Sequence, residues 1–444
     1  MLQKKFDLSR AISDRISSLV NGFENKEEEV VSRSEELETF HMKDFELETG
    51  NGYEIEEEEE EFESKVASRL IAFKEISKLD CCSEVDSVYE KRSELEFLLS
   101  REVINIEQLQ SVASLGLPNE GGLRSMVWKL LLGYLPASQD LQEGELAERR
   151  LKYAKLKNEL LINPTELTRT RDKPLVIIEQ ATECSADGPL RRQRVSYGDH
   201  PLSDGNTSIW HLYFQDAEIA EQIDRDLLRT HPEMKLFSGD SSFSCRTRQA
   251  MRNILLIFAK LNPEIHYVQG MNEVLAPLYY VSITDPLEKD ASNAEADSFF
   301  CFVRLLSDSV DHFCEQLDNS SVGILSTLSR FTVLLKANDE ELWRHLDIKN
   351  KVDPQYYAFR WITLLLTQEF SFSSILRIWD SLLSNPLGVQ EMLLRICCAM
   401  LLCLRSRLLS GDFTANLHLL QHYPQINIEY LLQVAQELST TASP

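Results

Sequence analysis

Apolar residues recur with a helical period between Cys245 and Val281, and this pattern constrains the fold more than any other feature of the chain. The apolar face of the first helix comprises Met251, Ile254, Leu255 and Phe258, spaced i, i+3, i+4 and i+7. Asn262-Pro263 ends that helix. The apolar face of the next helix comprises Val274, Leu275, Leu278 and Val281, with Pro277 as an expected kink. Two consecutive helices of this kind predict a helical domain.

The same period returns along most of the chain. Further helices are predicted over 66–79, 88–99, 106–115, 123–132, 140–161, 294–306, 323–336, 339–346, 388–404, 411–422 and 428–438. The candidate core residues outside the central pair are Leu342, Leu346, Ile348, Trp361 and Trp379. The charged helix at 140–161 is expected to face mostly solvent. Because the best strand candidate is only Val176-Ile177-Ile178, the predicted fold class is all-α with one large multi-helix domain.

Charge is distributed unevenly over the 444 residues. The chain has a net charge of −25, and residues 21–64 hold 18 Asp or Glu against 3 Lys or Arg, which is −15 of that total. A segment so poor in apolar residues cannot bury enough surface to order itself, so 21–64 is predicted to be a disordered acidic linker after a weak amphipathic helix at 1–20. The negative charge also argues against nucleic acid as a partner.

Other bulk features favour a cytoplasmic protein. There is no run of 18 apolar residues that would predict a spanning helix, and Met1–Arg10 lacks the apolar segment of a signal peptide. The nine cysteines lack zinc-site spacing and are expected to be reduced. No lipidation motif is present, so any association with endomembranes is expected to be peripheral.

Two short motifs about 40 residues apart flank the first central helix. Their residues are Ile223, Asp226 and Arg229 in the first motif, and Tyr267, Gln269 and Gly270 in the second. Asp226 and Arg229 are three residues apart and share a helix face, and Pro232 predicts that this helix ends near Arg229. An arginine there is free to reach outward, although alone it is more often an ion-pair partner, and Asp226 supplies one. Gly270 permits close backbone approach beside Gln269.

Together these motifs resemble the TBC domain of GTPase-activating proteins for Rab GTPases. The matching motifs are IxxDxxR at 223–229 and YxQ at 267–269, with further similarity in Gly121-Gly122-Leu123-Arg124-x-x-Val127-Trp128, Phe359-Arg360-Trp361 and Ile375–Asp380. The resemblance implies a TBC domain over 115–438 with a loop insert at 163–200, preceded by an N-terminal helical segment at 65–114.

The resemblance also implies a mechanism. Arg229 would be the arginine finger and Gln269 the glutamine finger, acting in trans on a Rab-family GTPase in its GTP form, with Ile223, Asp226, Tyr267 and Gly270 in support. GTP and magnesium would come with the partner, and no cofactor or metal of the chain's own is expected, because no GxxxxGK[ST] loop occurs. The chain would then be an activator in vesicle trafficking rather than an enzyme with its own nucleotide site.

Two other hypotheses remain open. A non-catalytic helical scaffold or GTPase effector could carry the same motifs, with Asp226 merely holding Arg229 in a surface pair. A helical repeat scaffold is disfavoured, because the sequence has no internal period.

Overall fold

The computed structural model describes residues 83–118, 122–161, 209–286, 290–307, 310–313 and 323–438. Several predictions from the sequence lie outside these residues: the amphipathic segment at 1–20, the acidic linker at 21–64, the helix at 66–79, the strand candidate at 176–178 and the loop insert at 163–200. The described residues from Leu95 onward belong to one compact unit.

The described chain is helical, which confirms the predicted all-α class. In chain order the helices are α1 (Ser83–Leu99), α2 (Ile106–Ser114), α3 (Leu123–Leu131), α4 (Gln139–Leu160), α5 (Ile209–Leu227), α6 (Ser242–Leu261), α7 (Met271–Ile283), α8 (Ala291–Ser307), α9 (Ile324–Asn338) and α10 (Glu340–Trp343). They continue as α11 (Ala358–Thr363), α12 (Phe372–Ser384), α13 (Val389–Cys403), α14 (Arg405–Ser410), α15 (Phe413–Gln421) and α16 (Ile428–Glu437). A π-helical turn covers Arg344–Lys349, and 3₁₀ turns cover Val310–Phe313 and Pro354–Tyr356.

The central helices α6 and α7 form as their sequence predicts. The predicted apolar face of α6 is completely buried: Met251, Ile254, Leu255 and Phe258. Ser241 caps α6 by accepting a hydrogen bond from the Ser244 amide at 3.0 Å, and the helix ends before Asn262. The α7 helix packs against α8 and runs through Pro277. Together with α5, which packs on α6, these helices support both motifs.

A buried ion pair joins α3 to α12. The Asp380 carboxylate is fully buried and accepts two hydrogen bonds from Arg124, through Nε and Nη2, both at 3.0 Å. Trp128 Nε1 donates to it at 2.8 Å and the Leu117 amide at 2.9 Å. Trp379 is buried beside Trp128, with ring centroids 5.8 Å apart, which confirms its predicted packing role. The segments 121–128 and 375–380, which both resemble the TBC domain in sequence, are thus linked through the Asp380 carboxylate.

The helix predicted at 140–161 is mostly solvent-facing, as expected, but one of its faces packs against α8. Arg150 on α4 donates to Asp297 on α8 at 2.9 and 2.8 Å, and Tyr153, which is buried, donates to Glu295 at 2.8 Å. Lys129 also reaches Asp297, at 2.7 Å. Charged residues of α4 therefore bind buried carboxylates of α8, which a count of charges along the helix cannot distinguish from solvent exposure.

One predicted core residue lies on the surface. Leu342, Leu346 and Trp361 are buried as predicted, but Ile348 is 58% exposed. It lies in the π-helical turn Arg344–Lys349. Ile348 is only two residues from Leu346, and residues two apart do not share a helix face, so burial of Leu346 leaves Ile348 on the outside.

Two further findings concern the described residues only. None of the described helices is long and apolar enough to cross a membrane. The described cysteines, Cys245, Cys301, Cys397, Cys398 and Cys403, are all free thiols.

Candidate functional site

The first motif lies at the carboxyl end of α5. Ile223 and Leu227 are buried and anchor the helix to the core. The helix ends at Leu227, and the Arg229 amide donates to the Asp226 carbonyl at 3.1 Å in the turn that follows. Pro232 lies three residues further on. The prediction that this helix ends near Arg229 is confirmed, and Arg229 stands at the start of a loop.

The Arg229 side chain extends from this turn into solvent. It is 59% exposed, and its Nη2 donates to Asp226 Oδ1 at 2.6 Å. Asp226 itself is buried. One edge of the guanidinium is therefore held by a fixed carboxylate, while most of the group stays accessible to a second molecule.

The second motif meets the first at the same carboxylate. Tyr267 Oη donates to Asp226 Oδ2 at 2.6 Å, so the two oxygens of Asp226 bind one residue from each motif. Burial, and then the hydrogen bond to Asp226, raise the pKa of Tyr267 far above its usual range, so the phenol remains a donor. Residues that are separated in sequence thereby share one anchor.

Asn272 and Thr230 also connect the two motifs by hydrogen bonds, and neither role was predicted from the sequence. Asn272 Oδ1 accepts from the Gly270 amide at 3.1 Å, and its Nδ2 donates to Thr230 Oγ1 at 2.8 Å. Thr230 Oγ1 in turn donates to the Asp226 carbonyl at 3.0 Å. Thr230 directly follows the first motif and Asn272 lies two residues after Gly270, but their hydrogen-bond partners depend on side-chain directions that the sequence does not reveal.

Gln269 lies on the exposed turn that precedes α7. Gly270 follows it with φ +106°, in the left-handed region, and a Cβ placed there would lie 2.4 Å from Leu364 Cδ2. The Leu364 side chain therefore lies close against the Gly270 backbone, which confirms the predicted close approach at this glycine. Leu365 and Leu366 also have positive φ, at 49° and 65°, which is rare for leucine. The Gln269 turn thus packs on a backbone segment that is itself constrained.

Two buried ionisable groups, Glu273 and His231, lie behind the exposed pair and were also missed. Glu273 is on the first turn of α7, and burial, followed by the charge of Glu233, raises its pKa to about 7. His231 lies in the loop after Arg229, and burial lowers its pKa. Within the described ranges, no cluster of three or more His, Cys, Asp or Glu residues could hold a metal ion.

This site defines a class of protein: a helical body that presents an exposed arginine and an exposed glutamine from two motifs joined at one buried carboxylate. Comparison with known proteins identifies the family. A family model described as the Rab-GTPase-TBC domain matches residues 203–409. TBC1 domain family member 13 of Homo sapiens is 34% identical over 415 residues, covering 80% of this chain and 99% of that protein. The chain belongs to the TBC domain family.

Two further similarities agree with this assignment. A TBC domain-containing protein of Schizosaccharomyces pombe is 29% identical over 462 residues, covering 77% of this chain and 71% of that protein. The crystal structure of the Ypt/Rab-GAP domain of Gyp1p superposes with a TM-score of 0.60 at 24% identity, covering 79% of this chain and 97% of that one. The latter likeness supports the fold.

Proposed function

We propose that this protein is a GTPase-activating protein for a Rab-type small GTPase, with Arg229 and Gln269 as trans-acting fingers. The observation that carries the proposal is the shared anchor: Asp226 binds Arg229 through one oxygen and Tyr267 through the other. A single fixed carboxylate thereby sets the positions of both motifs. Membership of the TBC family and the similarity to a Ypt/Rab-GAP domain support the same activity.

Arg229 would stabilise charge that develops on the phosphoryl oxygens during GTP hydrolysis. A guanidinium is permanently charged and presents a planar fork of donors that fits phosphate oxygens. An arginine finger supplied in trans raises the hydrolysis rate by about 10³–10⁵-fold. The ion pair with Asp226 limits the rotamers of Arg229 before the partner binds, which reduces the entropy lost on binding.

Gln269 would orient the attacking water. An amide can accept a hydrogen bond from water through its oxygen and donate one to phosphate through its nitrogen. In this role it would replace the corresponding glutamine of the GTPase. The partner, in its GTP form, would bring the nucleotide and the magnesium ion, and the chain would contribute only side chains.

The proposed setting is vesicle trafficking, with peripheral recruitment to the endomembranes on which Rab GTPases act. We assign the activity to the predicted TBC domain at 115–438.

The test is single-turnover GTP hydrolysis by a panel of purified Rab GTPases with the full chain. We expect at least one Rab to be accelerated, Arg229→Ala and Arg229→Lys to lose about 10³-fold or more, and Gln269→Ala to lose activity as well. Lysine should fail because a point charge lacks the fork of donors. Arg225→Ala is the matched control: Arg225 lies on α5, four residues before Arg229, is 68% exposed and also pairs with an acidic side chain, Glu221.

The outcomes separate the proposal from its alternative. If Arg229→Ala and Arg225→Ala accelerate hydrolysis equally, Arg229 is not a finger. If the wild-type chain binds a Rab in its GTP form without accelerating any member of the panel, and binding survives Arg229→Ala, the protein is a scaffold or effector.

A further inference from the structure

A buried contact behind the exposed pair joins the Arg229 loop directly to α7. His231 and Glu273 are both nearly fully buried, and His231 Nε2 lies 3.5 Å from Glu273 Oε2. His231 has φ 39°, an uncommon conformation that surrounding contacts must hold in place. Arg229 is two residues before His231, and Gln269 is four residues before Glu273. The contact therefore spans the two segments that carry the proposed fingers.

The hydrogen-bond partners of the His231 ring indicate which of its nitrogens carries the proton. His231 Nδ1 lies 3.1 Å from Glu233 Oε1, and this carboxylate near the surface accepts a hydrogen bond from the Nδ1–H group. In the neutral ring Nε2 then has no proton and carries a lone pair that can accept a hydrogen bond. That nitrogen makes no hydrogen bond in the described part of the chain as it stands. A carboxylate facing it would place two acceptors together, whereas a protonated carboxyl would donate to it.

The surroundings favour the protonated carboxyl. Burial raises the pKa of Glu273 and lowers that of His231, so both groups are driven toward their neutral forms. The charged groups facing Glu273 are Glu233 and Asp226, which also raise its pKa, and Arg229, which lowers it.

The uncharged groups around the contact complete its packing. The Gln368 side chain hydrogen-bonds to Glu273 and lowers its pKa, but burial outweighs this effect; Asn272 Nδ2 also donates to Glu273 Oε1, at 3.2 Å. On the other side, the Phe372 ring packs edge-on against His231 with centroids 4.9 Å apart. The site therefore contains no cation other than Arg229 among the groups that shift the pKa of Glu273.

We propose that Glu273 carries a proton that it donates to His231 Nε2, and that this hydrogen bond positions the loop carrying Arg229 against the turn carrying Gln269. The two residues are positioning residues, since neither would touch the nucleotide. This inference rests on the proposed function. It adds a requirement that the finger motifs alone do not contain: the site is fully assembled only while a buried carboxyl is protonated.

The pH dependence of activation tests this role. When Glu273 ionises, its charge faces the Nε2 lone pair and the hydrogen bond is lost, so activation should fall as pH rises through about 7. Glu273→Gln keeps an N–H donor at every pH. Glu273→Ala removes the donor altogether. Glu107→Gln on α2, which neutralises an exposed glutamate, controls for the change in net charge.

The measurement is single-turnover kcat/KM for an accelerated Rab between pH 6 and 8.5, divided by the intrinsic rate of the same Rab at each pH. We expect a decline on the order of tenfold for wild type and Glu107→Gln, as for loss of one buried hydrogen bond. We expect a flat profile for Glu273→Gln and low activity throughout for Glu273→Ala. A wild-type profile parallel to that of Glu273→Gln would overturn the inference.

A second readout does not depend on activity. Nitrogen-15 NMR of the histidine-labelled chain, with His231→Phe to assign the signal, reports the protonation of each ring nitrogen. We expect His231 to stay neutral with the proton on Nδ1, and its Nε2 shift to move with pH in wild type but not in Glu273→Gln. A ring protonated on Nε2, or an Nε2 shift unaffected by Glu273→Gln, would overturn the inference. The expected NMR result with no Rab accelerated would instead count against the proposed function.

Discussion

Among single residues, Asp226 accepts a hydrogen bond from Arg229 through one oxygen and from Tyr267 through the other. In Tyr267→Phe the Asp226 oxygen that accepts at 2.6 Å loses its donor while remaining buried. Leaving a buried acceptor without its partner costs about 1–3 kcal/mol. We expect the free energy of unfolding to fall by that amount in chemical denaturation. GTPase activation should fall further, because Asp226 would no longer hold Arg229 in one position.

Tyr356→Phe is the control for this substitution, since Tyr356 is exposed and its hydrogen bonds to the described residues, Gln421 and Asp353, are made by its backbone. It should change neither quantity. Equal stability of the Tyr267→Phe and Tyr356→Phe variants would show that the hydroxyl does not support Asp226.

Gly270 constrains the position of Gln269 in a way that can be separated from ordinary backbone strain. Gly270→Ala introduces both a side chain at φ +106° and a clash with Leu364 Cδ2, whereas Gly239→Ala introduces a side chain at φ +87° with no atom within 4 Å. The strain of positive φ is common to both, at about 1–2 kcal/mol. We therefore expect denaturation to show a larger loss for Gly270→Ala, and single-turnover assays to show reduced activation only for that variant. Equal losses would mean that Leu364 moves aside freely.

At the scale of helices, the tie between α3 and α12 can be compared with a surface pair of similar geometry. Arg124 donates hydrogen bonds to the fully buried Asp380. Arg377 donates to Glu429 at 2.7 and 2.8 Å, but Glu429 is 59% exposed. Removing one partner of a buried pair costs about 3–5 kcal/mol, whereas exposed pairs contribute about 0–1 kcal/mol. Urea denaturation of Asp380→Ala and Glu429→Ala should show this difference. If both substitutions lowered the free energy of unfolding equally, burial of Asp380 would not make its ion pair more important than the exposed pair.

Helix faces were predictable from the sequence because apolar spacing is local information. The predicted face of α6, from Met251 to Phe258, is buried in full. The polar ties were not predictable, since Arg124 and Asp380 are 256 residues apart and no local pattern distinguishes a buried charge from an exposed one. The same limit explains why the hydrogen bonds from Arg150 on α4 to Asp297 were not predicted. The prediction of Ile348 as a core residue was wrong for a different reason, because it is two residues from the buried Leu346 and cannot share its helix face.

For the molecule as a whole, the candidate site was predictable to the level of its exposed residues. Arg229 and Gln269 were recognised as motif residues, and both are exposed in the folded chain. The groups behind them, Asn272, His231 and Glu273, interact across about 40 residues of intervening chain. Their roles come from which atoms face each other after packing, so they became visible only in the structure.

The acid stability of the whole molecule should depend on Asp297, which ties α3 and α4 to α8. Burial alone would raise the pKa of Asp297, but hydrogen bonds from Arg150 and the charge of Lys129 outweigh it and lower the pKa below 3.8. A lowered folded-state pKa means that its stabilisation is complete above the unfolded value and is lost as pH falls through the folded value. In denaturation from pH 7 to pH 3, Asp297→Asn should therefore be about 3–5 kcal/mol less stable than wild type at pH 7, with the gap narrowing toward pH 3. Asp240→Asn, at an exposed aspartate, should match wild type throughout. A gap for Asp297→Asn that stayed constant with pH would show that the loss comes from packing and that the ionised carboxylate contributes nothing.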